Sequence, residues 1–270
     1  MTSSDPLKES SESTDINRST EFMESTPCGL TYHTTFESWE SCLRPCDLIL
    51  VSAPGAVSRI IRTFQQLHLK SDAEWIHAGV VFPNLVLNKV SGIKPQTTYI
   101  LESMFMGMKG IYDVRSHTWR NGVQVRNLRK ITDQIVKQGG KIACLHLKEG
   151  FTKSILEEGK LNREARLEYL EKHARLVEGI KTFWKQHKTS PYDLWNCASS
   201  VGVFPACKTK KSLFCSELVI RLHQYMGLVD EKIDAEKMSP EEVAQWIGEA
   251  SGTICPYYVF SMAKESKISV

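Results

Sequence analysis

Two periods organise the apolar positions of this chain. Compact apolar runs bounded by Pro or Gly read as buried strands. Cys46-Asp-Leu-Ile-Leu-Val-Ser52 is such a run, ended by Ala53-Pro54-Gly55, and Trp75-Ile-His-Ala-Gly-Val-Val-Phe82 is another, closed by Pro83. Thr97-Thr-Tyr-Ile-Leu-Glu102 reads as a third, followed by a turn punctuated by Gly107 and Gly110. The stretches 111–114, 123–125 and 141–147 read as further strands, and 256–261 as the last.

Elsewhere the spacing is helical. Residues 56–69 place Val57, Ile60, Ile61, Phe64 and Leu67 three and four apart. From Arg163 to His187, Leu167, Leu170, Ala174, Val177, Ile180 and Trp184 form an apolar stripe, and Ser190-Pro191 ends that helix. A shorter helix spans about 214–226, with Leu218, Val219, Leu222 and Met226 inward and Gly227 as its stop. Ser239 as N-cap and Pro240 in the first turn open a third. Several strands in a run, then helices, predict an α+β domain rather than a doubly wound sheet.

Composition narrows the function classes. At 41% hydrophobic and 24% charged over 270 residues, the chain is neither fibrous nor wholly disordered. A formal charge of +3 is too mild to demand a nucleic-acid partner. No apolar run approaches the ~18 residues of a membrane-spanning helix, and the Ser/Thr/acidic start has no export signal, so a cytoplasmic protein with reduced thiols is expected. Residues 1–27 read as a disordered tail, 28–43 as a linker, 44–262 as the folded domain and 263–270 as a second tail. The eight cysteines lack metal-site spacing: Cys42/Cys46 and Cys207/Cys215 form no CxxC pair and no cluster with histidine, so neither metal nor cofactor is expected.

The octet Leu213-Phe-Cys-Ser-Glu-Leu-Val-Ile220 carries the most chemistry. It places Cys215 in the first turn of an amphipathic helix, with Ser212 available as a cap. A helix N-terminus stabilises a thiolate through its dipole and free N–H groups, and thiolate is the nucleophilic form. A thiol nucleophile works with a base and an orienting group. His77 sits inside a strand next to Ala78-Gly79, whose small side chains leave room for a neighbour, and Glu102 ends a strand where a carboxylate can hold an imidazole tautomer. Each taken alone has an ordinary structural reading: a helix-core cysteine, a satisfied core histidine, a solvated glutamate.

Asp47 in the first strand, His-Ala-Gly-Val-Val, Leu-Glu-Ser, Tyr192-Asp193 and then Phe-Cys-Ser-Glu-Leu-Val, in that order, resemble the circularly permuted papain-like cysteine hydrolases. The nearest likeness is to the YaeF/YiiX-type amidases, a group with a poxvirus member; lecithin:retinol acyltransferase-like enzymes are more distant relatives. The likeness spans roughly residues 44–260. It implies a permuted papain-like fold, an antiparallel sheet or half-barrel packed against the nucleophile helix, with 163–187 as an extra long helix. It also implies Cys215 as nucleophile, His77 as general base and Glu102 as orienting residue. The family's usual Gly before the first-strand Asp is Cys46 here.

Two other thiols compete. Cys197, in Trp195-Asn-Cys-Ala, is similar to the Asn-Cys of the acyltransferase relatives and stands second to Cys215. Cys144, two residues before His146, reads as packing. The expected activity is hydrolysis of an amide or acyl ester through an acyl-enzyme, on a small-molecule, lipid or peptide substrate. A non-catalytic lipid- or peptide-binding module, a lipid acyltransferase and a ubiquitin-like protein deconjugase are the alternatives. The basic stretch 115–141 (Arg120, Arg126, Arg129, Lys130, Lys137) reads as a solvated face, its other use being peripheral contact with acidic headgroups. Met104-Phe105-Met106-Gly-Met108 reads as core filling that can also line an acyl pocket.

Overall fold

The computed structural model describes residues 31–33, 35–70, 72–83, 97–105, 110–145, 163–194, 197, 212–250 and 258–260. Its strands are β1 (Thr31–His33), β2 (Leu48–Ser52), β3 (His77–Phe82), β4 (Tyr99–Met104), β5 (Gly122–Asn127), β6 (Lys141–Leu145) and β7 (Tyr258–Phe260). The helices are α1 (Phe36–Cys42), α2 (Ala56–Leu69), α3 (Leu128–Lys137), α4 (Arg163–His187), α5 (Cys215–Tyr225) and α6 (Pro240–Ala250). The strands join in one sheet ordered β1-β7-β6-β2-β3-β4-β5. Every pair is antiparallel except β1 with β7. The fold is mixed helix and sheet, as the run of strands followed by helices predicts.

Helices cover both faces of the sheet. Leu48, Leu50, Ala78, Val80, Leu101 and Val125 face α4, α5 and α6, meeting Ile180, Phe183, Leu218, Val219 and Val243. The alternate positions Ile49, Val51, Val81, Ile100 and Ile142 face α1 and α3, meeting Trp39, Leu128, Ile131 and Ile135. With both faces covered, β2 buries all five of its residues and reads as a continuous apolar run. The long helix α4 turns Leu176, Ile180, Phe183 and Trp184 inward. Ala174, expected in that stripe, is exposed, because the contact surface follows 176, 180, 183 and 184.

Several expectations need correction. Residues 111–114 form no strand; Val114 N donates to Val125 O at 2.8 Å in a loop beside β5. The expected linker 28–43 carries β1 and α1, and Trp39 of α1 is fully buried. Ser212 does not cap α5; its hydroxyl donates to Asp193 Oδ2 at 2.5 Å. Phe214 is the cap residue, and Glu217 in the first turn accepts from its N–H at 3.5 Å. Ser239 does cap α6, with reciprocal bonds to Glu242 of 2.8 and 3.3 Å.

Cys46 has φ +74°, in the left-handed region that glycine favours. That turn lets Cys46 N donate to Val81 O at 3.0 Å and starts β2 against β3. Asp47 then accepts from Arg44 N at 2.8 Å and from the Cys144 thiol at 3.6 Å, which gives Cys144 the packing role expected of it. His146, Cys207 and the segment 106–109 lie outside the described residues. Among the described residues no helix is long and apolar enough to cross a membrane.

Candidate active site

Three neighbouring strands build one half of the site by alternation. His77, Gly79 and Val81 share a face of β3; Glu102 pairs opposite Gly79, and Gln124 of β5 pairs opposite Glu102. Arg126 pairs with Ile100, so His77, Glu102 and Arg126 run diagonally across the same face of three strands. Diagonal neighbours lie within reach of long side chains. Glu102 Oε2 is 2.7 Å from His77 Nε2, and Arg126 Nε donates to Glu102 Oε1 at 2.5 Å. Gly79 keeps this diagonal open: a Cβ there would come 2.6 Å from Ile100 Cδ1 and 3.1 Å from Leu101 O.

The other half arrives from the opposite layer, round the end of the sheet where β3 begins and β4 ends. Ser103 Oγ donates to Leu213 O at 2.6 Å and anchors the residues before α5. Cys215, the first residue of α5, then comes within hydrogen-bonding reach of His77. Since Nε2 of His77 is engaged by Glu102, Nδ1 is the nitrogen left for the sulfur. The backbone N–H groups of Ala78 and Ser216 also bond the sulfur.

The charges follow from these contacts. Burial alone would raise the Cys215 thiol, but the His77 charge and hydrogen bond, with the two N–H groups, hold it below the ordinary thiol value. Burial alone would lower the His77 imidazole; Cys215 and then Glu102 outweigh that and raise it to about 9. Burial would likewise raise the Glu102 carboxyl, but the Arg126 guanidinium and the His77 hydrogen bond bring it down to about 2. These contacts favour the charged forms of Cys215 and His77 together, backed by an ionised Glu102 carboxylate and the Arg126 guanidinium.

All three predicted residues meet, and the structure adds Arg126 and Tyr192 and brings the second candidate thiol, Cys197, to the same place. Arg126, expected on a solvated face, is fully buried, because strand alternation in β5 turns it onto Glu102; Arg129 and Lys130 of that basic stretch are exposed. A charge inside the β-run Val123-Gln-Val-Arg126 was the signal for it, since a buried charge needs a partner. Tyr192 donates its hydroxyl to Cys197 Sγ at 3.1 Å and lies within hydrogen-bonding reach of Cys215. In the sequence Tyr192 is marked only as part of the Tyr192-Asp193 pair of the resemblance, with no role assigned to it. Its place is set by Gly122 (φ +105°), where a Cβ would meet Ser190 O at 2.1 Å, and by Val123 N donating to that same oxygen at 3.0 Å. The two candidate thiols thus belong to one site, with Cys215 next to the base and Cys197 behind the tyrosine.

A cavity of about 300 Å³ opens against His77, Glu102 and Tyr192. Its other walls are mainly apolar: Val51, Ile61, Met104, Phe105, Ile131 and Ile135. Met104 and Phe105 are thus at the cavity, and Phe105 is partly exposed rather than core filling. Set against known proteins, the chain matches no protein-family model and no curated sequence.

Proposed function

We propose that the protein is a cysteine-dependent hydrolase of permuted papain-like type that cleaves an amide or acyl ester through an acyl-enzyme on Cys215. The observation that carries this reading is the hydrogen-bonded series Cys215–His77–Glu102, assembled from three separate segments in the order His, Glu, Cys. In this mechanism the Cys215 thiolate attacks the substrate carbonyl, forming the C–S bond. The carbonyl oxygen gains the charge that the sulfur loses, and the Tyr192 hydroxyl, by turning from Cys197, is the nearby side-chain donor for it. His77 delivers its proton to the leaving amine or alcohol, and Glu102 holds the ring and its charge. Water, deprotonated by the now neutral His77, then breaks the thioester.

The apolar cavity beside His77 supports an apolar acyl group, and its volume admits about ten heavy atoms at ~30 Å³ each. A polar peptide backbone would leave its amides unpaired against Ile131, Ile135 and Val51.

The test is labelling with a thiol-directed acyl-enzyme probe. Cys215→Ala abolishes labelling, whereas Cys197→Ala retains it; equal labelling of the Cys215→Ala protein rejects the assignment. A panel of acyl esters, phospholipids and peptide amides, with Cys215→Ala as control, then identifies the scissile bond.

A further inference from the structure

The hydrolytic mechanism leaves one group of the site without a task. Cys197 shares the Tyr192 hydroxyl with the nucleophile: the hydroxyl is 3.1 Å from Cys197 Sγ and within hydrogen-bonding reach of Cys215. One hydroxyl thus contacts both sulfurs. The backbone holds them there from both sides. Leu213 N donates to Pro191 O at 3.0 Å and Asp193 N donates to Leu213 O at 3.3 Å, so the strands leading to the two cysteines are bridged. Cys197 follows that bridge by one helical turn, its N–H donating to Asp193 O at 3.0 Å, and Cys215 follows it by two residues. Both are present as thiols.

We propose that Cys197 is the resolving thiol of Cys215: a hydroperoxide converts the resting site to a Cys197–Cys215 disulfide, which blocks acyl transfer until a dithiol reductant reopens it. This inference rests on Cys215 being the thiolate nucleophile of the proposed function. In the first step the Cys215 thiolate attacks one peroxide oxygen. The S–O bond forms and the O–O bond breaks, sulfur loses two electrons to the peroxide, and the departing hydroxide or alkoxide takes the His77 proton. In the second step Cys197 sulfur attacks the sulfenic sulfur. The S–S bond forms, the S–O bond breaks, and hydroxide leaves with the Cys197 proton as water.

The electrostatics favour this order. Burial, and then the Cys215 charge, push the Cys197 thiol up to about 12, so in the resting site it is protonated and does not compete as nucleophile. Conversion of the thiolate to neutral sulfenic acid removes the second of those influences and eases deprotonation of Cys197 when the resolving attack is due. For the bond to close, the Tyr192 hydroxyl must give up its contacts with the sulfurs, and the cavity that the ring already lines gives it room to turn.

The full-length protein is treated at pH 7 with hydrogen peroxide, then probed for thiol labelling and mapped by non-reducing peptide mass spectrometry. A Cys207→Ser background is used, because Cys207 lies on the same tryptic peptide as Cys197. The expected result is a link between the 197 and 215 peptides and a roughly tenfold or greater loss of Cys215 labelling that dithiothreitol restores. In Cys197→Ser protein the same treatment carries Cys215 to sulfinic acid, and dithiothreitol restores nothing. Sulfinic acid at Cys215 without the link in both proteins overturns the inference. So does a Cys215 that stays reduced. Slow iodoacetamide labelling before any peroxide would instead mark failure of the thiolate reading itself, which separates the two.

Discussion

A single buried carboxylate sets the state of the site. Glu102 balances two cations: Arg126, which is fully buried, and His77, which is partly exposed at the cavity. Removing one partner of a buried pair strands the other, typically at about 3–5 kcal/mol. Arg126→Met is expected to cost that much in urea unfolding. The double variant with Glu102→Gln should cost less than the sum of the singles, which a double-mutant cycle reads directly. The pair also sets the pH range of activity. His77, raised to about 9, must be protonated to release the leaving group, so hydrolysis is expected to fall as pH rises through about 9. In Arg126→Lys the charge is kept and that limb should stay in place. In Glu102→Gln it should move down toward the ordinary imidazole range.

At the scale of elements, the approach of the 190–191 turn to β5 is the tightest constraint on the site. Gly122→Ala combines a positive φ with backbone collision, and is expected to cost about 2 kcal/mol or more and to reduce Cys215 labelling by displacing Tyr192. Thermal melting and probe kinetics on the same preparation check both parts. The elements themselves were largely legible, because Pro, Gly and apolar spacing mark local events: Ala56–Leu69 and Arg163–His187 fall where periodicity puts them. α3 was not, since Leu128, Ile131, Ile135 and Val136 lie among Arg and Lys that read as a solvated stretch. Their inward direction depends on a sheet whose order the sequence does not state. The same reason hides the contacts of Arg126 and of Tyr192, the latter named only within a motif, because both depend on strand register or a cross-layer approach. Cys215, His77 and Glu102 were legible because each sits at a recognisable position, a helix start, a strand with small neighbours and a strand end. In α2, Ile60 and Leu67 are 55% and 70% exposed although the spacing predicts an inward stripe, while Gln65 is fully buried.

Across the whole molecule, buried titrating groups give stability a defined pH dependence. Cys215, lowered, contributes stability present above the ordinary thiol value of 9.0 and lost as pH falls; His77, raised, contributes stability present below 6.5 and lost as pH rises through about 9. Below 9.0 the Cys215 contribution falls with falling pH while the His77 contribution falls with rising pH between 6.5 and about 9, so the two slopes oppose each other. His223 is buried at the end of α5, and burial, partly offset by its bond to Cys46 O, lowers it to about 4. Its contribution is whole above pH 6.5 and fades as pH falls through about 4. Glu102 adds a further loss below its ordinary value of 4.5, down to about 2. Chemical denaturation across pH is therefore expected to show an acid decline that His223→Gln makes shallower between pH 6.5 and 4.

His77 stands on a central strand and Cys215 at the start of a helix laid over the other face of the sheet, and the two meet round the end of β3. In the proposed mechanism competence then depends on how that helix is seated on the sheet. Low concentrations of denaturant should abolish Cys215 labelling while circular dichroism still reports intact helices and strands, and dilution should restore it.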